Sequence, residues 1–527
     1  MHQLEQANKR LISKTVTASS DRASNMYPEQ KTLSDHTRQS AAWDIRSGRK
    51  NFAVLVMTQI AGAAFSFFAT WLATRFLQAD GYGAIAAVLA ASQLVALITV
   101  EWTSVALWRY GCEEFVDSGR IAKAFWARFI LLVPTLLIVV ATSTWWLAPI
   151  ARWLEIPPKA QALVLTHFLV MTLWVHVQRA LQAAKLPHIQ GYLLAFERLL
   201  LVGLVVALGV AGETSVVSIG LSYVAAPFLT TITGVWQLRS LILPIVWPDP
   251  ALLRSIMTFS LPLIPYSLMA SFSGNQLDAF FITHYLSVAA LGVYSLAYAL
   301  SGILMQLPTH VGSLLLQFFI TVHVHGETDR VSHFLRDLLP PLTLLWSTGC
   351  ALFAATNWYL LPLIFGPQFQ EARTVLWPLM AAAALRGPWL MGFSPAFNFK
   401  SATYVATLGG LISALINVVL NFLLIPTFGL IGCAWATTAA YGAATLTGAC
   451  LTYALLPSRS WAIEATLPVL LGAAYASWRP DNAGALVVSI SAAVFIALRR
   501  RSHIVAGVRA LANAGVLSPV LKLLPNH

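Results

Sequence analysis

The sequence predicts an all-α polytopic membrane protein of about fourteen transmembrane helices, and three observations carry that expectation. Of 527 residues, 57% are hydrophobic and 10% charged, where an ordinary soluble chain is about 25% charged. Apolar runs recur from residue 52 to residue 498, and many reach the roughly 20 residues that cross a bilayer core as a helix. These runs are rich in Leu, Ala and Val and too long for the short alternating segments of an outer-membrane barrel.

Residues 1–49 are polar, of mixed charge and rich in Ser, Thr and Gln. They read as a disordered cytoplasmic tail, with no apolar signal-peptide core before residue 50 and Met26 as an alternative start. Apolar length and breakers then place spans at 52–74, 84–107, 125–148, 162–183, 190–211 and 216–237. A second set falls at 259–283, 289–320, 338–361, 374–396, 402–425 and 430–453, followed by 462–478 and 483–498. The expected domains are thus two six-helix lobes (50–240 and 254–456), two extra helices (460–498) and a basic cytoplasmic tail (499–527). Within that tail, Ile504, Val505, Val508 and Leu511 share a helical face suited to the membrane interface.

Lys and Arg crowd one set of loops, among them Arg46, Arg49 and Lys50, Arg109, Arg120 and Lys123, and Arg499, Arg500 and Arg501. The opposite loops hold Arg152, Lys159 and Arg479 and little else. By the positive-inside rule both termini face the cytoplasm, as an even number of spans also requires. Trp145, Trp146, Trp153, Trp247, Trp358 and Trp461 stand near span ends, where an aromatic belt belongs. The net charge of +12 therefore reflects topology, and no nucleic-acid partner is expected. The scattered Cys112, Cys350, Cys433 and Cys450 form neither a disulfide framework nor a metal site.

An internal repeat organises the chain. Setting His284 against Arg75 fixes an offset of 209 residues, which also aligns Leu77 with Leu286 and Gly83 with Gly292. The same offset aligns Pro158 with Pro367, Gln161 with Gln370, and Gly220-Leu221 with Gly429-Leu430. Two six-span halves in parallel orientation imply bundles related by an axis along the membrane normal, with a transport path between them.

Asn275-x-x-Asp278, followed by Leu-Gly292-Val-Tyr294-Ser-Leu-Ala-Tyr298, resembles the seventh-to-eighth span signature of the polysaccharide and O-antigen flippases. The run from Ile416 through Asn417, Asn421, Pro426, Gly429 and Gly432 to Thr437 is similar to that family's eleventh-to-twelfth span signature. Arg75 to Gly83 and Leu363 to Arg373 resemble two further segments, so the likeness covers about residues 50–500 in order. The large Trp435 departs from the small residues usual there. The resemblance implies the multidrug/oligosaccharidyl-lipid/polysaccharide exporter superfamily, with two six-helix lobes in a V. It implies a transporter without catalytic residue, cofactor or metal that flips a polyprenyl-diphosphate-linked oligosaccharide across the bacterial inner membrane. Membrane lipids and a glycan polymerase or chain-length machinery are the further partners.

A lipid diphosphate calls for cations along its path, with planar Arg favoured. Arg198, near the middle of the fifth span, leads the candidates, and its neighbour Glu197 projects about 100° away around the helix. Arg386 stands before the helix breaker Gly387-Pro388, which is suited to opening a cavity. Arg128 and Arg179 lie near span ends and are expected to snorkel. Arg75 and Asp278 occupy the outer ends of equivalent spans and are candidates for a gate pair, with Asn275 one turn from Asp278. Asn417 and Asn421 share a face and read as amides tying helices together. His176 and His310 are the candidates for proton coupling.

Two other functions fit less well, while a lipid-linked peptidoglycan precursor flippase would share much of the architecture and differ in its cavity charges. A cation-coupled drug exporter needs buried acids, and Asp278 and Glu197 are few beside the arginines. A glycan polymerase needs a sizeable outer loop, and those near 149–161 and 362–373 are short.

Overall fold

The computed structural model describes residues 45–261, 264, 275–324, 329–399, 404–456 and 460–513. The expected tail over 1–44, most of the start of the seventh span, and residues 514–527 lie outside them. By its contacts the chain divides at Thr58, and every core residue named below belongs to the unit from Thr58 onward.

Every regular element among the described residues is helical. In the N-terminal half these are α1 (Ile45–Thr99), α2 (Ser104–Ser118), α3 (Ala122–Ala141), α4 (Ser143–Trp153), α5 (Gln161–Ala183), α6 (Pro187–Val210) and α7 (Val216–Ile242). The connector α8 (Pro250–Ser260) follows. The C-terminal half holds α9 (Asn275–Tyr285), α10 (Val288–Val324), α11 (Leu339–Phe365), α12 (Ala372–Pro388) and α13 (Tyr404–Leu455). Last come α14 (Leu467–Trp478), α15 (Asn482–Arg499) and α16 (Arg501–Asn513).

Two of these helices are bent pairs. In α1 the chain turns at Gln78, which is forced to φ 59° and donates its side-chain amide to Arg75 O. In α13 the turn falls at Gly429, also at φ 59°, three residues after Pro426. Only a residue without Cβ takes that conformation at no steric cost, which explains Gly429. Nine helices among the described residues are long and apolar enough to cross a membrane, the two bent ones included. That bears out the polytopic class, while fourteen remains the sequence's own count. The second expected span, 84–107, is broken: α1 ends at Thr99, a 3₁₀ turn covers Glu101–Thr103, and α2 resumes.

In the N-terminal half α5 packs against α2 and α7, and α7 against α6. In the C-terminal half α12 is the hub, touching α10, α11, α13 and α14. Its residues from Val375 to Leu385 are all buried, as an apolar helix without a polar face must be. The outward faces carry large exposed apolar side chains such as Val210, Leu363 and Phe422, the surface a bilayer solvates.

The repeat is visible in the backbone. Pro158–Ala160 and Pro367–Phe369, aligned by the 209-residue offset, are both 3₁₀ turns. The departure at Trp435 has a local cause: its Nε1 donates to Ser477 Oγ on α14 at 3.0 Å, so the indole fastens an added helix to α13. Asn482, at the head of α15, does the same by donating to Ala355 O and accepting from Trp377 Nε1. Of the tail face expected at the membrane interface, Ile504 is half-buried and Val505 exposed, while the side chains of Val508 and Leu511 lie outside the described residues. Ile504 packs with Leu344, Trp461 and Ala493, and α16 lies against the π-turn Phe334–Leu338.

Candidate functional site

The two halves meet along a seam whose ends differ. At the end bearing the turns near residues 78 and 287, backbone touches backbone. A Cβ added at Gly83 would collide with Val288 O, and one added at Gly292 would collide with Ala79 O. The 209-residue offset maps Ala79 onto Val288 and Gly83 onto Gly292, so the contact is reciprocal about a local two-fold. Small residues four apart let helices approach this closely. Around the glycines, Trp71 Nε1 donates to Ile364 O and Trp153 Nε1 to Phe280 O, each at 3.0 Å. The Trp153 ring stacks on His284 at 5.3 Å, and Tyr82 and Phe67 meet Phe369 and Phe365 edge-on.

Away from that seal, α1, α6 and α10 enclose a cavity of about 300 Å³. Its polar wall comprises Thr58, Gln59 and Ser66 of α1, Arg198 of α6, and Gln306, Thr309 and His310 of α10. The Arg198 side chain is 41% exposed, while its neighbour Glu197 is 7% exposed. The sequence expectation that Glu197 points away is corrected here: Arg198 Nη2 reaches back to 3.9 Å from Glu197 Oε1, because a guanidinium stem is long enough to curl around its own helix. Glu197 Oε2 accepts from Trp174 Nε1 at 2.9 Å. The carboxylate is thus buried in the half behind α6, and no Asp or Glu lines the cavity among the described residues.

The other candidates lie elsewhere. Arg386 is apart from the cavity, its guanidinium over Tyr441 at 4.9 Å and Trp389 at 5.6 Å, and the helix continues through Gly387-Pro388 into a π-turn without opening a space there. Arg179 bonds Gln182 Oε1 and pairs with Glu101 at 3.6 Å. Arg128 does not snorkel: it is fully buried, with Nε donating to Thr103 Oγ1 and Nη1 to His176 Nδ1. Arg128 and Arg179 together clasp the break between α1 and α2, so His176 belongs to a structural tie.

Arg75 and Asp278 are not a pair. Arg75 is exposed, whereas Asp278 is buried and forms no ion pair among the described residues. Its Oδ2 accepts from Tyr294 OH at 2.8 Å and Thr437 Oγ1 at 3.1 Å, and its Oδ1 from Asn421 Nδ2 at 2.8 Å. Asn421 also donates to Asn417 Oδ1 at 3.1 Å. Carboxylate and amides thus bind α9, α10 and α13 into one half, which is the tie expected of Asn417 and Asn421. Asn275 opens α9, and its side chain lies outside the described residues. No group of three or more His, Cys, Asp or Glu converges among the described residues.

Comparison with known proteins decides the family. The family model described as "Polysaccharide biosynthesis protein" matches residues 72–374, more than half of the chain. The chain belongs to the polysaccharide biosynthesis protein family. No curated protein matches its sequence. Among solved structures, this family member is similar to the lipid II flippase MurJ in an inward closed conformation. The TM-score is 0.64 and the identity 12%, over 86% of this chain and 99% of that one. It is also similar to a multidrug resistance MATE family transporter of the MOP superfamily, facing inward, with TM-score 0.56 and 15% identity over 76% and 96%. A mutant of the Vibrio cholerae MATE transporter VcmN gives 0.52 and 10% over 79% and 97%. At these identities the likeness establishes the fold alone.

Sequence reasoning missed that His310 lines the same cavity as Arg198, since that depends on how the halves dock. It also missed the reciprocal glycine contact, although the Ala79-x-x-x-Gly83 and Val288-x-x-x-Gly292 spacings were there to find.

Proposed function

We propose that this protein flips a polyprenyl-diphosphate-linked oligosaccharide from the cytoplasmic to the outer leaflet of the bacterial inner membrane for surface polysaccharide synthesis. One observation carries the reading: a cavity between the two halves presents a guanidinium and neutral hydrogen-bonding groups but, among the described residues, no carboxylate. Arginine is suited to a diphosphate head, while amides and hydroxyls serve sugar. The halves act as two lobes, 50–240 and 254–456, that rock about the seam, with both termini cytoplasmic. The glycine seal then lies at the outer face and the cavity toward the cytoplasm, where such a substrate is made. A glycan polymerase and chain-length machinery are the partners downstream, and the protein itself makes no bond.

The test is mass spectrometry of polyprenyl-diphosphate glycans in a strain lacking the protein. Accumulation of one defined lipid-linked oligosaccharide with loss of surface polysaccharide is the expected result. An unchanged lipid-linked pool, with drug accumulation raised, would replace this reading by the cation-coupled exporter.

A further inference from the structure

Only two ionisable side chains line the cavity among the described residues, and they come from opposite halves: Arg198 on α6 and His310 on α10. A diphosphate esterified at both ends carries a negative charge on each phosphate. Arg198 answers one of them with a permanent cation. Building on the flippase reading, we propose that His310 answers the other by taking a proton from water as the diphosphate enters, so that binding is proton-linked and the anion bridges the two halves.

Histidine is the side chain whose charge changes near neutrality under small changes of surroundings. An entering diphosphate favours the charged form of an imidazole beside it. Among the described residues no other ionisable side chain lines the cavity. On α12, which packs against α10, Arg386 is stacked on Tyr441 and Trp389 and Arg373 on Trp358. On α9, Asp278 is bonded inside its own cluster, and His284 and Tyr285 stand at the sealed end. Asp329, Arg330 and His333 belong to the short helix beyond the end of α10. The facing stretch of α1 offers Gln59 and Ser66, which carry no charge. Pro308, inside α10, stands two residues before His310 and releases the carbonyl of Leu304 from its helical partner, which loosens the turn that carries the imidazole.

The probe is farnesyl-diphosphate N-acetylglucosamine, whose doubly esterified diphosphate does not itself titrate near neutrality. Titration calorimetry of the full-length protein in two buffers of different ionisation enthalpy counts the protons taken up. The wild type should absorb up to about one proton per bound probe, with affinity falling by as much as about tenfold per pH unit on the alkaline side. His310→Asn should bind about tenfold more weakly with no uptake, and His310→Arg should bind without uptake and without pH dependence. Wild-type binding with no uptake, or uptake persisting in His310→Asn, overturns the proton linkage while leaving the flippase reading intact. Failure of the wild type to bind the probe at any pH overturns both.

Discussion

At one end of the seam the halves meet through glycine backbone, ring edges and indole N–H groups. At the other they stand apart across a cavity lined by Arg198, His310 and amides. The first surface tolerates no added atom at Gly83 or Gly292, so it has a closed state that is either made or broken. The second is polar and partly open, so its occupancy depends on what enters. The difference teaches how one chain divides its interface: shape specifies the glycine contact, and polar chemistry lines the cavity.

The comparison breaks most readily at the glycines. Replacing Gly83 or Gly292 by Leu drives a side chain into a carbonyl oxygen, and overpacking of that kind costs about 1–3 kcal/mol or more. Transport should be lost at normal expression, and a cysteine placed at Ala79 should become reactive from outside. Retained transport would show that the seal is not needed. A smaller effect is expected at the other end. Arg198→Gln removes a charge-assisted contact of about 1.5–3 kcal/mol, so affinity for the farnesyl-diphosphate sugar should fall by about 10–100-fold, with the seal unaffected by the cysteine readout. Equal affinity in this variant would move the diphosphate site elsewhere. The smallest effect belongs to Trp71→Phe, which keeps the ring and removes the bond to Ile364 O. At about 0.5–1.5 kcal/mol it should raise outside accessibility a few-fold without abolishing transport.

Much of the fold was legible because hydropathy, Lys/Arg asymmetry and the 209-residue repeat all report on the chain's own helices. Asn417 and Asn421 were readable as a helix tie for the same reason, since a four-residue spacing sets a common face. The site was less legible wherever it depended on docking or reach. Arg128 looked free to snorkel because nothing in its own span shows Thr103 and His176 closing over it. Asp278 and Arg75 looked like partners by position, but the donors Tyr294, Asn421 and Thr437 lie closer. Arg386 was read from the breaker beside it, whereas aromatic faces on its own helix bundle hold it.

The glycine crossing has the symmetry of an isologous dimer interface folded into one polypeptide: what Gly83 does to the second half, Gly292 does to the first. A self-complementary contact needs only one small residue from each half and no matched pair of unlike side chains. Each half is therefore free to diverge behind it, one burying a guanidinium at Arg128 and the other a carboxylate at Asp278. The joint stays common while the interiors become different machines.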